Sequence, residues 1–145
     1  MKHTFLFLES TWTGKGTYYD QNGSPSNAKG ESEIVHLKDT WFINSSMTLS
    51  GENPIEIKNN YEIVPFKGEI TSWKSVNPDL GTLLGSFAIV EDSIISLLSS
   101  EKGEVFGSEI LTQINESEYS AKGVLYNAAG KISSWSVQLV REQEI

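Results

Sequence analysis

The chain has 145 residues, a formal net charge of −8 and no cysteine. Its length suits one domain, residues 1–145, able to bury roughly two thirds of its unfolded surface without covalent staples. The charge speaks against nucleic-acid and anionic-membrane partners, which need a basic surface. The missing cysteines exclude a disulfide framework, a thiolate metal cluster and a cysteine nucleophile.

The first nine residues hold a single lysine and a very short apolar run, not a secretory h-region, and no later run has the length of a membrane span. A cytoplasmic protein is expected. Residues 3–10 are predicted to form a short helical turn that packs Phe5, Leu6 and Leu8 against one end of a sheet. From Ser10 onward the pattern is that of strands. Trp12, Gly14, Gly16 and Tyr18 fall on one face of the first strand, because residues two apart share a side. Glycines inside a strand mark a bend or a close backbone approach, so an aromatic followed by two glycines on its own face describes a strand that coils sharply. Asp20 to Gly23 then supply a turn.

Further strands are predicted near 29–38, 40–50, 55–66, 68–77, 82–91, 93–99, 104–115, 117–127 and 131–141, after a first at 10–20. Turn residues separate them, at Asn22-Gly23, Ser50-Gly51, Asn77-Pro78, Glu91-Asp92, Lys102-Gly103 and Ala129-Gly130. Short strands at regular spacing are the signature of an antiparallel barrel or sandwich. Alternation assigns the inner faces: Trp41, Ile43, Met47 and Leu49; Ile55, Ile57, Tyr61 and Ile63; Phe106, Ile110 and Ile114; Trp135, Val137 and Leu139. Small or polar residues interrupt these inner faces, among them Ser45, Asn59, Ser108 and Thr112. Such groups are costly in a packed core and tolerated in a cavity. The chain also matches itself: Trp12 to Gly23 aligns with Tyr119 to Gly130, and Gly68 to Trp73 with Gly130 to Trp135. The offsets differ, so this is no solenoid period; equivalent strands of a closed sheet meet equivalent demands.

An aromatic-glycine first strand, about ten strands and a basic residue near the end of the last one together resemble the calycin superfamily of lipocalins, fatty-acid-binding proteins and nitrobindin-like barrels. The resemblance implies an all-β, antiparallel up-and-down barrel. In lipocalins a Gly-x-Trp on the first strand packs against an arginine from the last. Ser10-Thr11-Trp12 stands in that place here, without the glycine, and no Thr-Asp-Tyr motif follows in the middle of the chain. By the resemblance Trp12, Gly14, Gly16 and Arg141 close the barrel, with a cation–π contact between Trp12 and Arg141.

The search for chemistry returns little. There are two histidines, His3 and His36. Neither lies in the C-terminal part of the chain, where nitrobindin-like barrels carry their haem ligand, so neither haem nor any other cofactor is expected. Zinc lacks its N and S ligands. Carboxylates come as Glu31/Glu33, Glu52/Glu56, Glu101/Glu104 and Glu116/Glu118; Glu31 and Glu33 share a strand face and would form an acid–base pair inside a barrel, but an outward acidic face is the better reading. Glu109 lies between Gly107 and Leu111, and with Phe106 and Ile110 assigned inward it is expected outside.

The aromatic supply remains, four Trp, five Tyr and six Phe. A lumen lined by Met47, Tyr61, Trp73, Phe87, Phe106 and Trp135 would take a small apolar or aromatic ligand without catalysis. The alternative is a calycin-type isomerase or cyclase acting on a lipid-like substrate, with Glu33, His36, Glu109 and Tyr61 as its candidate ionisable groups. A third reading is a homodimer that works through its outer face.

Overall fold

Alternating apolar and polar residues make each segment a strand with one dry face, and ten such strands form a single antiparallel sheet. The computed structural model describes residues 2–143. The strands are β1 (Ser10–Tyr19), β2 (Pro25–His36), β3 (Trp41–Leu49), β4 (Ile55–Ile63), β5 (Ile70–Asn77), β6 (Gly81–Val90), β7 (Ser93–Ser100), β8 (Phe106–Asn115), β9 (Glu118–Asn127) and β10 (Gly130–Arg141). Each pairs with its neighbours in sequence, and β1 pairs with β10, so the meander closes into an up-and-down barrel. All ten predicted strands are present. The second begins at Pro25, earlier than expected, because residues 25–28 extend the ladder opposite Gly16–Tyr19 in place of a loop.

Closure depends on bare backbone. A Cβ on Gly16 would strike the carbonyl oxygen of Ser136 on β10, and one on Gly14 would press on Val137 at 3.1 Å. Two tryptophans use glycines in a different way. Trp73 on β5 is the register partner of Gly85 on β6, and Trp135 on β10 that of Gly123 on β9. In both places the indole lies flat over the glycine, where any Cβ would collide with the ring. The self-match of Gly68–Trp73 with Gly130–Trp135 is thus a repeated packing device.

The lower end of the barrel is filled. Trp12, Ile34, Ile43, Ile63, Ile94, Leu111 and Tyr119 form its buried floor, and the N-terminal segment lies across it with Phe5 and Leu6 buried. The Tyr119 hydroxyl accepts the Thr4 and Phe5 N–H groups at 3.1 and 3.3 Å and meets His3 Nδ1 at 2.7 Å. The Thr4 hydroxyl donates to Glu116 O, Gln113 Nε2 to Lys2 O, and His36 Nε2 to Leu6 O. The strap is therefore tied to three separate points of the rim.

Several expectations are corrected here. No helix occurs among the described residues. The predicted N-terminal helical turn is a single hydrogen-bonded turn, Leu8 N–H to Thr4 O at 3.1 Å, which cannot propagate because Leu6 sits at φ 75°. Trp12 and Arg141 are register partners, but the Trp12 ring is met edge-on by Phe5 at 5.3 Å and Tyr119 at 5.5 Å instead of by the guanidinium. The face assignment of β8 is reversed: Phe106, Ile110 and Ile114 are 45%, 45% and 49% exposed, while Leu111 and Gln113 are buried. Ser108 and Thr112 consequently point outward, and Glu109 points inward.

Between β4 and β5 the ladder is short. Only Asn60 to Ile63 pair with β5, across four residue pairs, because β5 ends at Asn77. Above that point the Asn77 side chain bridges the seam, its Nδ2 donating to Asn59 Oδ1 at 2.7 Å. Asn77 Oδ1 accepts the Asp79 and Leu80 N–H groups and so holds the β5–β6 turn over the barrel.

Gly123→Ala and Gly85→Ala should each cost about 1–3 kcal/mol in urea denaturation, because the added methyl overpacks against an indole that has no other place to go. Gly68→Ala, which meets open space, should stay within about 0.5 kcal/mol of the parent.

Candidate functional site

Above the floor, the barrel encloses a cavity of about 360 Å³. Ten strands give a wider bore than side chains at the inward positions fill when many of those positions are glycine, serine or alanine. Gly14, Ala28, Gly30, Ser32, Ser45, Ser96, Ala121 and Ser133 all line this space. Apolar and aromatic walls come from Ile43, Met47, Ile57, Tyr61, Leu83, Phe87, Leu98, Leu111, Leu125, Trp135, Val137 and Leu139, with Phe5 below and Leu80 above.

Of the lumen residues predicted from sequence, Met47, Tyr61, Phe87 and Trp135 line the cavity. Trp73 points inward but is 4% exposed and lies beside it, packed between Tyr61 at 4.8 Å and Phe87 at 5.9 Å. Phe106 is misplaced by the sequence reading. It faces solvent and stacks on Tyr126 at 6.0 Å. Gly14 lines the cavity wall, while Trp12 belongs to the floor. Tyr18 joins the lining at the upper end of β1.

Sequence reasoning also put Glu109 on the wrong side. Its register partner on β9 is Gly123, whose own partner on β10 is Trp135. β8 and β10 lie about 10 Å apart, two strand spacings. Because Gly123 has no side chain, the Trp135 indole reaches across β9, and its Nε1 donates to Glu109 Oε2 at 2.6 Å. Glu109 keeps part of its surface open, and that surface faces the cavity. Burial holds the carboxyl above the usual carboxylate range, with the Trp135 N–H working against the rise. The Tyr61 phenol is pushed up as well, first by burial and then by the charge of Glu109. Glu109 and Tyr61 thus feel each other across the lumen.

Four of the other polar groups that border the lumen are paired with one another. Ser32 and Ser45 hydroxyls share a hydrogen bond of 2.6 Å, and Asn59 is held by Asn77. Trp73 Nε1 and Ser75 Oγ are buried without a partner among the described residues. The remaining acid–base candidates lie elsewhere. Glu33 is exposed on the outside of β2, and His36 caps the floor, stacked on Trp41 at 4.1 Å with its Nε2 on Leu6 O. His3 is likewise engaged by Tyr119 and by Glu91 O. Among the described residues no three His, Cys, Asp or Glu gather as metal ligands.

Comparison with solved structures settles the architecture. An S-type phycobiliprotein lyase, CPES from Guillardia theta, superposes with a TM-score of 0.71 at 8% identity, covering 97% of this chain and 92% of that one. The fold is calycin-like. Rv2717c from M. tuberculosis shares this calycin-like barrel with a TM-score of 0.65 and 15% identity, over 94% of this chain and 93% of its own. EF1p2_mFAP2b, solved bound to DFHBI, matches with a TM-score of 0.51 and 12% identity over 97% of this chain and 98% of its own. No protein-family model matches the sequence, and no curated protein matches it.

Removing the indole donor should move Glu109 further in the direction that burial already drives it. In Trp135→Phe the carboxyl should titrate at higher pH than in the parent, read from the side-chain carboxyl carbon by NMR. Stability should carry the same signature. The unfolded chain releases the Glu109 proton at the ordinary carboxylate pKa and the folded protein only at a higher pH. Between those two values the native state holds more protons, so parent stability should fall as pH rises through that window. Glu109→Gln should remove this part of the slope in denaturant melts taken across the window.

Proposed function

We propose that this calycin-like barrel binds a small, largely apolar or aromatic molecule in its lumen. The observation that carries the reading is the cavity of about 360 Å³, walled by Tyr61, Phe87, Trp135 and aliphatic side chains and floored by the N-terminal strap. A closed lower end and an apolar interior with few polar groups are the usual form of a small-molecule site. The barrels of similar shape lend support, since one is solved bound to DFHBI and another is a phycobiliprotein lyase.

The aromatic lining of the space suits a flat guest. Aromatic rings rise on both sides of it, from Tyr61 and Phe87 on one side and Tyr18 and Trp135 on the other. Met47 supplies an adaptable wall near the open end. Binding would proceed without a covalent step, the ligand displacing poorly held water from apolar surface.

A second reading is acid–base chemistry on a lipid-like substrate, favoured by the inward placement of Glu109 opposite Tyr61. A carboxyl whose pKa burial raises above its usual range is better suited to hold and exchange a proton than a solvated one. Glu109→Gln separates the two readings: it would abolish turnover in an enzyme and leave a neutral guest bound in a carrier.

The container reading is tested by native mass spectrometry of the protein purified from its source, and by titration with an uncharged environment-sensitive naphthalene dye. Dye emission should shift to the blue and intensify on binding. Met47→Trp, which fills the lumen from its wall, should weaken dye binding by about tenfold or more while leaving the fold intact by circular dichroism.

A further inference from the structure

The geometry points to a cationic guest: a small, flat, apolar molecule carrying one protonated nitrogen, with Glu109 as its counter-charge. This deepens the reading of the lumen as a ligand site and rests on it. Three ionisable acids, Glu31, Asp79 and Glu109, contribute to the cavity lining, and no lysine, arginine or histidine does. Asp79 lies at the open rim and Glu109 inside, while Glu31 borders the space from the β2 wall with its side chain on the outward face it shares with Glu33. A free carboxylic acid entering this space would meet Asp79 at the mouth and Glu109 inside, and among the described residues no cationic side chain lines its path.

Glu109 itself lacks a full set of partners. Oε2 takes the Trp135 N–H, and no other donor reaches the carboxylate among the described residues. A carboxylate enclosed by protein with one neutral donor is poorly compensated, and a cation supplies the missing charge together with further N–H donors. The surrounding rings help in the same sense. Trp135, Tyr61 and Phe87 present aromatic surface to the same space, and ring faces attract cations. The field of the whole chain also favours this sign, since a net charge of −8 focused into a low-dielectric cleft concentrates cations there.

Proton linkage follows from the same contact. The titratable groups facing Glu109 across the cavity are Tyr61 from β4, Tyr18 from β1 and Asp79 from the β5–β6 turn, none of them a cation. In the empty barrel Glu109 holds its proton above the usual carboxylate range. An ammonium guest favours the ionised form, so its binding releases that proton to solvent, and its affinity rises with pH over the range in which empty Glu109 titrates.

Three probes of matched shape provide the test: naphthylethylamine as cation, ethylnaphthalene as neutral molecule and naphthylacetate as anion, each titrated by calorimetry into the full chain. The amine should bind at least about tenfold tighter than the acetate, with the neutral probe between them. Glu109→Gln, which keeps an acceptor for Trp135, should lower amine affinity by about tenfold and change the neutral probe by less than about twofold. Amine titrations in buffers of different ionisation enthalpy should show proton release in the parent and none in the variant. Acetate binding as well as the amine, or an amine affinity untouched by Glu109→Gln, would overturn the inference while leaving the lumen a binding site. Failure of all three probes to bind would overturn the ligand-site reading itself.

Discussion

The β1–β10 ladder is the constraint on which everything else rests. Eight residue pairs, from Trp12 with Arg141 to Tyr19 with Ser134, turn an open meander into a ring. Without them the edges of β1 and β10 would carry unpaired N–H and C=O groups, and the inward side chains of ten strands would face no common interior. The ladder is permitted by absence: a side chain on Gly16 would collide with the Ser136 carbonyl. Backbone hydrogen bonding at the seam is thus bought with side-chain volume, and the volume given up becomes lumen.

The two ends of the ring are treated differently. At the lower end large side chains from β1, β2, β3, β4, β7, β8 and β9 converge, and one tyrosine hydroxyl organises the strap beneath them. Tyr119 is fully buried, yet its hydroxyl is satisfied by two amides and a histidine ring, so the polar group costs little where it sits. Above the floor several inward positions turn small. The change is clearest on β1, from Trp12 to Gly14 and Gly16, and on β9, from Tyr119 to Ala121 and Gly123, and it separates floor from cavity.

Much of the architecture was legible in the sequence because it depends on local chemistry. Period-two alternation and turn residues located every strand, and the run from Trp12 to Gly16 announced closure. The site was less legible, for a reason seen most plainly in β8. Its outward residues Phe106, Ile110 and Ile114 are apolar, and its inward residues Gly107, Glu109, Leu111 and Gln113 include a charge and an amide. Alternation identifies the apolar face, and the apolar face is the inner one only where the interior is packed. Beside a cavity that rule inverts, which sent Phe106 inward and Glu109 outward on paper. The clue lay in the neighbouring strands. Gly123 and Trp135 are register partners, and a tryptophan over a glycine extends its N–H to the next strand, where an acceptor must stand. That relation joins residues 26 positions apart and is invisible to any window along one strand. The N-terminal turn eluded the reading for a similar reason, since the contacts that hold Leu6 at positive φ come from distant rim segments.

The short seam between β4 and β5 carries a consequence for how the ring is walled. Away from the β4–β5 seam each strand is clamped on both sides for most of its length, but the upper half of β4, Ile55 to Asn59, is laddered to β3 alone. Its other flank is latched by one amide pair, Asn59 with Asn77. Backbone support around the circumference is therefore uneven among the described residues, and its gap lies at the level of the cavity and not of the floor. On that flank the lumen is walled by side chains, the Asn59–Asn77 amide pair among them, where the rest of the ring is walled by hydrogen-bonded backbone.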